Sequence, residues 1–120
     1  MLNLNSIMIG TQQLKVMAAF YEKVLGSPAG MIDAEHGFYG WQVGSGYFSI
    51  LEHSEMGGQT KDPGRGMLNF ETTQVKEEFE RLKAVGAREI REPYTMGSEN
   101  AWIATLADPD GNYFQVISPM

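Results

Sequence analysis

The sequence predicts an α+β fold in which two tandem βαβββ modules form a curved mixed sheet around a cleft. Two amphipathic helical segments end at Gly26 and Gly86, and 86 − 26 = 60 residues is half of the 120-residue chain. One apolar segment precedes each helix and three follow it, so the order of elements repeats together with the spacing. A turn signal, Asp-Pro-Asp-Gly at residues 108–111, separates the last two segments. We interpret the chain as an internal duplication.

The first module begins with a predicted strand over residues 4–9. A helix is predicted next because apolar residues recur on one helical face, and these are Leu14, Met17, Tyr21, Val24 and Leu25. Thr11 is the expected N-cap, and Gly26 stands where a left-handed residue commonly ends a helix. Three strands are predicted after the helix, over residues 30–33, 37–43 and 47–53.

The second module repeats this order of elements. Its first strand is predicted over residues 67–70, and its helix follows from the spacing of Val75, Phe79, Leu82 and Val85. Thr72 or Thr73 is the expected N-cap, and Gly86 is the expected end. Three further strands are predicted over residues 88–94, 101–107 and 112–117.

A polar, Gly-rich segment lies between the two modules. It lacks the apolar residues of a core, so we interpret it as a connector and a candidate mobile flap. The single domain, residues 1–120, therefore divides into a first module of residues 1–54, a connector of residues 55–65 and a second module of residues 66–120.

The last two strands are predicted to form a β-hairpin. Asp108, Pro109 and Gly111 fit the first, second and fourth positions of a type I turn, because Pro fixes φ at the second position. Apolar runs flank the turn on both sides, as they do in a hairpin.

Composition argues against several classes of partner. The formal net charge of -6 repels phosphate backbones and anionic lipids, so we expect neither a nucleic-acid nor a membrane partner. No run of residues approaches the roughly 18 apolar residues that span a bilayer, and the first residues lack the basic segment of a signal peptide. The chain has no Cys, which excludes disulfides, thiolate metal sites and a Cys nucleophile. A cytoplasmic protein is the expectation.

A βαβββ module covers one face of its sheet with the helix and leaves the other face available. Two modules, or four in a homodimer, could set these faces around a concave cleft that binds a small-molecule ligand. Tyr39 and Trp41 could form a stacking platform there or pack inside the sheet, and Trp102 has the same two alternatives. Met67 and Asn69 share a face, where the Asn69 amide could meet a ligand or the backbone.

Three features together resemble the vicinal oxygen chelate superfamily. They are the tandem βαβββ order, the segment Phe20-Tyr21-Glu22-Lys23-Val24-Leu25-Gly26, and the segment Asp108-Pro109-Asp110-Gly111-Asn112. The superfamily includes glyoxalases, bleomycin-resistance proteins, fosfomycin-resistance enzymes and extradiol dioxygenases. The resemblance covers nearly the whole chain and implies the glyoxalase/bleomycin-resistance/dioxygenase fold, whereas it says little about the reaction.

The resemblance also implies where a metal site would lie. Relatives that resemble glyoxalase place one metal ligand on the first strand and one on the last strand of each module. Here those positions fall on Leu4 or Asn5, near Glu52, on Met67 and on Gln115. Only Glu52 is a good ligand for a divalent ion, and Gln115 is a possible neutral one. We therefore expect no metal cofactor; if the chain is an enzyme, a divalent metal ion would bind Glu52 and Gln115.

Glu52 and His53 are the candidates for catalysis. His53 ends the fourth predicted strand, and an imidazole can take up and release a proton near neutral pH, as a general base must. The alternative for His53 is a solvated residue at the end of a strand.

The preferred function is metal-free binding of a small, partly aromatic or amphiphilic molecule, as in bleomycin-resistance proteins. Its expected ligand-binding residues are Asn5, Tyr39, Trp41, Glu52, Met67, Asn69, Trp102 and Gln115. The acidic chain would favour a cationic ligand held against Trp41 or Trp102 by cation–π contact. One alternative is an enzyme centred on Glu52, His53 and Gln115, either a metal-dependent glyoxalase-like lyase or isomerase or a dioxygenase-related enzyme. Another alternative is an interaction subunit that binds no small ligand.

Overall fold

The computed structural model describes residues 1–95 and 97–119, and the chain divides into two compact units, residues 1–58 and 59–120. Each unit contains one helix and one four-stranded mixed sheet. The predicted α+β class, with two βαβββ modules, is therefore confirmed.

The first unit has a sheet with strand order β1-β4-β3-β2. Strand β1 runs parallel to β4, and the other neighbours are antiparallel. Its elements in chain order are β1 (Ser6–Thr11), α1 (Leu14–Leu25), β2 (Met31–Asp33), β3 (Phe38–Val43) and β4 (Gly46–Glu52).

The second unit has the same arrangement, with strand order β5-β8-β7-β6 and a parallel pair, β5 and β8, at the corresponding edge. Its elements are β5 (Leu68–Glu71), α2 (Val75–Ala84), β6 (Arg88–Thr95), β7 (Trp102–Ala107) and β8 (Tyr113–Ile117). The matching strand orders agree with an internal duplication.

The predicted helical faces are the buried ones. Helix α1 buries Met17, Ala18, Phe20, Tyr21 and Val24, and α2 buries Val75, Phe79 and Leu82. Gly26 ends α1 with φ of 76°, in the left-handed region where Gly carries no steric cost.

The predicted N-caps are wrong in both helices. Gln13 and Gln74 occupy the N-cap positions, and neither makes a side-chain capping hydrogen bond. Instead, the backbone N–H of Gln13 donates to the Thr11 hydroxyl at 3.0 Å, and that of Gln74 donates to the Thr72 hydroxyl at 3.1 Å. Each threonine hydroxyl therefore stabilises the bend between strand and helix from a position two residues before the N-cap.

The predicted hairpin is confirmed. The backbone N–H of Gly111 donates to the Asp108 carbonyl at 2.9 Å, and β7 pairs with β8 in antiparallel register. The connector bonds to this hairpin, because Thr60 N–H donates to the Asp110 carbonyl at 3.0 Å and Tyr113 N–H donates to the Pro63 carbonyl at 3.3 Å. Among the described residues, no helix is both long enough and apolar enough to cross a membrane.

Candidate functional site

Each sheet has one face under its own helix and one that points away from it, which we call the helix-distal face. In the first unit, the ring of Tyr21 on α1 lies 4.7 Å from that of Phe48, so Phe48 is on the covered face. Because side chains alternate along a strand, Tyr47, Ser49 and Leu51 occupy the helix-distal face.

Two contacts of α2 assign the faces in the second unit. Lys76 Nζ lies 3.8 Å from the ring centroid of Trp102, and Lys83 Nζ lies 3.1 Å from a carboxylate oxygen of Glu89, the cross-strand partner of Leu106. Trp102 and Leu106 are therefore on the covered face of β7. By alternation, Thr105 is on the helix-distal face.

A row of hydrogen-bonding side chains crosses the middle of this helix-distal face. Gln115 on β8 is the register partner of Asn69 on β5 and of Thr105 on β7, and Thr105 is the partner of Arg91 on β6. Gln115 Nε2 donates to the Thr105 hydroxyl at 3.0 Å. We call Asn69, Gln115, Thr105 and Arg91 the polar row.

The polar row offers several kinds of hydrogen-bonding group in one line. Thr105 is 7% exposed, Gln115 is half-buried, and Asn69 and Arg91 are exposed. The amide of Gln115 donates through Nε2 and presents Oε1 as an acceptor, while the Asn69 amide can donate and accept. Such a combination can bind a polar group of a small molecule.

The corresponding row of the first unit has a different chemistry. Ser49 pairs with Met8 and with Gly40, and Gly40 pairs with Met31. The Tyr47 hydroxyl occupies the space that a side chain at position 40 would fill. The duplicated sheets have therefore diverged: one row is polar and charged, and the other contains two Met, one Gly and a single polar residue, Ser49.

Trp41 does not form a ligand platform on the helix-distal face, which corrects the sequence expectation. It is 2% exposed, its ring lies 5.8 Å from that of Phe48, and its indole N–H donates to the Ser27 carbonyl at 3.1 Å. Tyr39 stacks on Trp41 at 6.4 Å. Both rings belong to the covered face because β3 pairs Trp41 with Phe48, beneath α1.

Trp102 is also on a covered face, so its expected contact with a ligand cation is corrected too. Lys76 of the same unit occupies its ring face at 3.8 Å. The cation–π contact that we assigned to a ligand is made by the chain itself.

The expected ligand positions on β1 and β4 shift in register. Leu4 and Asn5 are exposed and precede β1. Ser6 pairs with Tyr47 in the first unit, and the equivalent of Tyr47 in the second unit is Tyr113, which lies opposite Met67. Ser6 is therefore the counterpart of Met67. Likewise Tyr47-Phe48-Ser49 matches Tyr113-Phe114-Gln115, which makes Ser49 the counterpart of Gln115. Pairing with β4, and not the local apolar pattern, sets the register of β1.

Glu52 is therefore not the counterpart of Gln115. It is the last residue of β4, three positions beyond Ser49 and on the opposite face, where it pairs with Thr11 and lies beside Gly37. It lines a depression near the start of α1 together with Gln13 and Val16. This position separates Glu52 from the helix-distal face.

His53 is exposed just beyond β4, and its Nδ1 accepts the backbone N–H of Glu55 at 3.1 Å. In the neutral ring, the proton then resides on Nε2, so the ring presents a donor and not the lone pair of a general base. The geometry does not support the catalytic role considered for His53.

The donor set does not fit a divalent metal ion. The positions implied by the resemblance are Ser6 and Ser49 in the first unit and Met67 and Gln115 in the second, and they supply two hydroxyls, a thioether and a neutral amide. None is an imidazole or a carboxylate, the ligands that hold catalytic divalent ions. Within residues 1–95 and 97–119, no three His, Asp or Glu side chains are grouped to hold a metal ion.

Met67, Asn69 and Gln115 were identified from the sequence, whereas Arg91, Tyr94 and Thr105 on the same face, and Ser49 on the helix-distal face of the first unit, were not. The repeated Tyr-Phe pair before Ser49 and Gln115 was a usable signal for Ser49. The positions of Arg91 and Tyr94 depend on irregular pairing between β6 and β7, which no local pattern specifies.

Residues 6–117 match a family model described as a glyoxalase-like domain. A comparison with curated protein sequences found no match.

Several solved structures share the fold. A glyoxalase-related enzyme from Fulvimarina pelagi is 20% identical with a TM-score of 0.80, over 99% of this chain and 89% of that one. A glyoxalase/bleomycin resistance protein/dioxygenase family enzyme from Burkholderia phytofirmans PsJN is 24% identical with a TM-score of 0.76, over 99% and 100%. A fosfomycin resistance protein from Listeria monocytogenes, complexed with Mn(II) and a dihydroxypropylphosphonic acid, is 15% identical with a TM-score of 0.78, over 98% and 90%. At these identities the likeness shows the fold alone.

Proposed function

This chain belongs to the glyoxalase-like domain family, within the vicinal oxygen chelate superfamily, and from that premise we propose that it binds a small organic molecule without a divalent metal ion. The binding surface is the helix-distal face of the second unit. The observation that carries this proposal is the hydrogen bond from Gln115 Nε2 to the Thr105 hydroxyl at 3.0 Å, in the middle of the polar row.

The polar row suits direct recognition of a ligand. Gln115 is oriented by Thr105, and an oriented amide binds a polar group with less loss of side-chain freedom than a mobile one. Ile117, which pairs with the buried Ile103, is half-buried on the same face, where it can contact the body of a ligand. A few oriented polar groups beside apolar surface are typical of small-molecule sites.

A metal-dependent lyase or isomerase is not favoured by any of these contacts. Glu52 lies on the other face of β4, and the Nδ1 of His53 accepts from Glu55. Ser6 and Ser49 in the first unit, and Met67 and Gln115 in the second, include no imidazole or carboxylate, which favours ligand binding without a metal ion. We propose that the protein has no metal cofactor.

Replacement of Gln115 tests this function. We expect benzamide, a neutral aromatic amide, to shift the backbone NMR signals of Thr105 and Gln115, and Gln115→Leu to weaken its binding about fivefold, because about 1 kcal/mol of hydrogen bonding is lost. EDTA should leave the dissociation constant unchanged, as should Gln42→Leu, a control on the helix-distal face of the first unit. Binding that requires added Mn²⁺ or Zn²⁺, or no shifts at the polar row, would contradict the proposal.

We also propose a homodimer that forms through β1. This strand lies at the edge of its sheet, and Ile7 and Met8 are 43% and 57% exposed, with Leu4 just before it at 86%. Exposed apolar side chains on an edge strand are commonly covered by a partner.

Analytical ultracentrifugation measures this association. The wild-type chain should sediment at twice its 13.3 kDa mass, and Ile7→Lys should weaken dimerisation at least about tenfold because it buries an unpaired charge. Val16→Lys is the matched control, since Val16 is similarly exposed at 50% but lies on α1. Equal weakening by both variants would argue against an interface at β1.

A further inference from the structure

We propose that the ligand carries an oxyanion, such as a carboxylate or a phosphonate, and that Arg91 of the second unit binds it. This inference rests on the proposed function, because it assigns the charge of the ligand at the same face. It replaces the cationic ligand that the acidic composition suggested.

The guanidinium group of Arg91 is available to bind a ligand. Its guanidinium carbon lies 3.7 Å from the ring centroid of Tyr94, so the ring supports one face of the guanidinium group. Among the described residues, no carboxylate lies within 4.0 Å of Arg91, although Arg81 binds Glu78 at 2.7 Å and Lys83 binds Glu89 at 3.1 Å. Arg81 and Lys83 on α2 are thus paired with carboxylates, whereas Arg91 is not.

Neutral donors accompany Arg91 in the polar row. Thr105 is its cross-strand partner, and the Thr105 hydroxyl accepts from Gln115, which leaves its own O–H to be donated. A guanidinium group can bind two oxygens of an oxyanion at once, and a hydroxyl beside it can donate to the same group. Arg91 and Thr105 thus provide charged and neutral donors of the kinds that bind a carboxylate or phosphonate.

Further basic residues lie around the same part of the second unit. Arg88 pairs with Ala107, which pairs with Tyr113, so these residues form the next row of the helix-distal face. Lys61 and Arg65 line a depression beside Tyr113, together with Asp62. Four of the nine Lys and Arg residues of a chain with net charge -6 are thus placed near this face.

Glu71, the acidic residue of β5 on this face, is remote from Arg91. Glu71 shares the helix-distal side but lies on β5, at the opposite edge of the sheet from β6. Three inter-strand spacings separate the two edges, which is about 14 Å. Local charge at Arg91 therefore favours an anion despite the acidity of the whole chain.

Titration with four matched aromatic probes tests the charge preference. We expect phenylphosphonate or benzoate to bind at least about fivefold more tightly than neutral benzamide, and benzylamine to bind most weakly. Arg91→Gln should weaken the binding of the anions about tenfold and that of benzamide much less, whereas Arg91→Lys should give an intermediate loss for the anions. Comparison of the two anions identifies which oxyanion fits better. Arg81→Gln, which removes an exposed arginine already paired on α2, should change nothing.

The outcomes separate this inference from the function on which it rests. Benzamide binding that depends on Gln115, without any preference for the anions, would overturn the assignment to an oxyanion and retain the binding function. An anion preference that persists in Arg91→Gln, or tighter binding of benzylamine, would overturn it as well. If none of the four probes binds, both proposals are wrong.

Discussion

Replacement of Trp41 by Ala is expected to lower the free energy of unfolding by about 3–5 kcal/mol. Trp41 is 2% exposed and packs between Tyr39 and Phe48, whose ring contacts Tyr21 of α1. The truncation removes these contacts, leaves a cavity beneath the helix and deprives the Ser27 carbonyl of its indole donor. The loss should therefore be one of stability and not of ligand affinity.

Urea denaturation followed by circular dichroism measures the effect, and probe binding below the transition separates stability from affinity. Trp102→Ala is the matched control, because Trp102 is half-exposed and its ring is covered mainly by Lys76. We expect that control to cost about 1 kcal/mol. If Trp41→Ala lowers the free energy of unfolding by less than 1 kcal/mol, or weakens probe binding without lowering stability, Trp41 belongs to a ligand site.

The elements that were predictable from sequence are those that depend on neighbouring residues. Both helices follow from apolar spacing that matches one helical face, and the hairpin follows from the residue types of Asp108 to Gly111. Gln115 could be placed on its strand by counting from Gly111. These patterns are local, so no knowledge of the tertiary fold was needed.

The features that escaped prediction depend on pairing between distant segments. The register of β1 is fixed by β4, about forty residues later, so the expected ligand position moved from Leu4 or Asn5 to Ser6. Alternation separates Trp41 from Gln42 but cannot tell which side lies under α1. The partnership of Arg91 with Thr105 requires register shifts in β6. A polar row built across four strands therefore becomes visible only when the sheet is assembled.

The carboxylate of Asp108 stabilises the turn before β8. It is 5% exposed, and its Oδ1 accepts the backbone N–H groups of Asp110 at 2.9 Å and Asn112 at 3.0 Å. The Asn112 side chain donates to Oδ2 at 3.0 Å and accepts from the Thr60 hydroxyl at 2.6 Å. One buried carboxylate thus connects the turn, the start of β8 and the connector.

Asp108→Ala is expected to lower the free energy of unfolding by about 3 kcal/mol, since it leaves two backbone N–H groups without their charged acceptor. Asp108→Asn keeps an acceptor oxygen and should lose about half as much. Asp62→Ala, at an exposed connector position, should stay within about 0.5 kcal/mol of wild type in the same urea titration. Because Thr60 bonds to the turn, Asp108→Ala should also accelerate tryptic cleavage after Lys61 and Arg65 under native conditions. Unchanged cleavage in a clearly destabilised variant would show that the connector is held by other contacts.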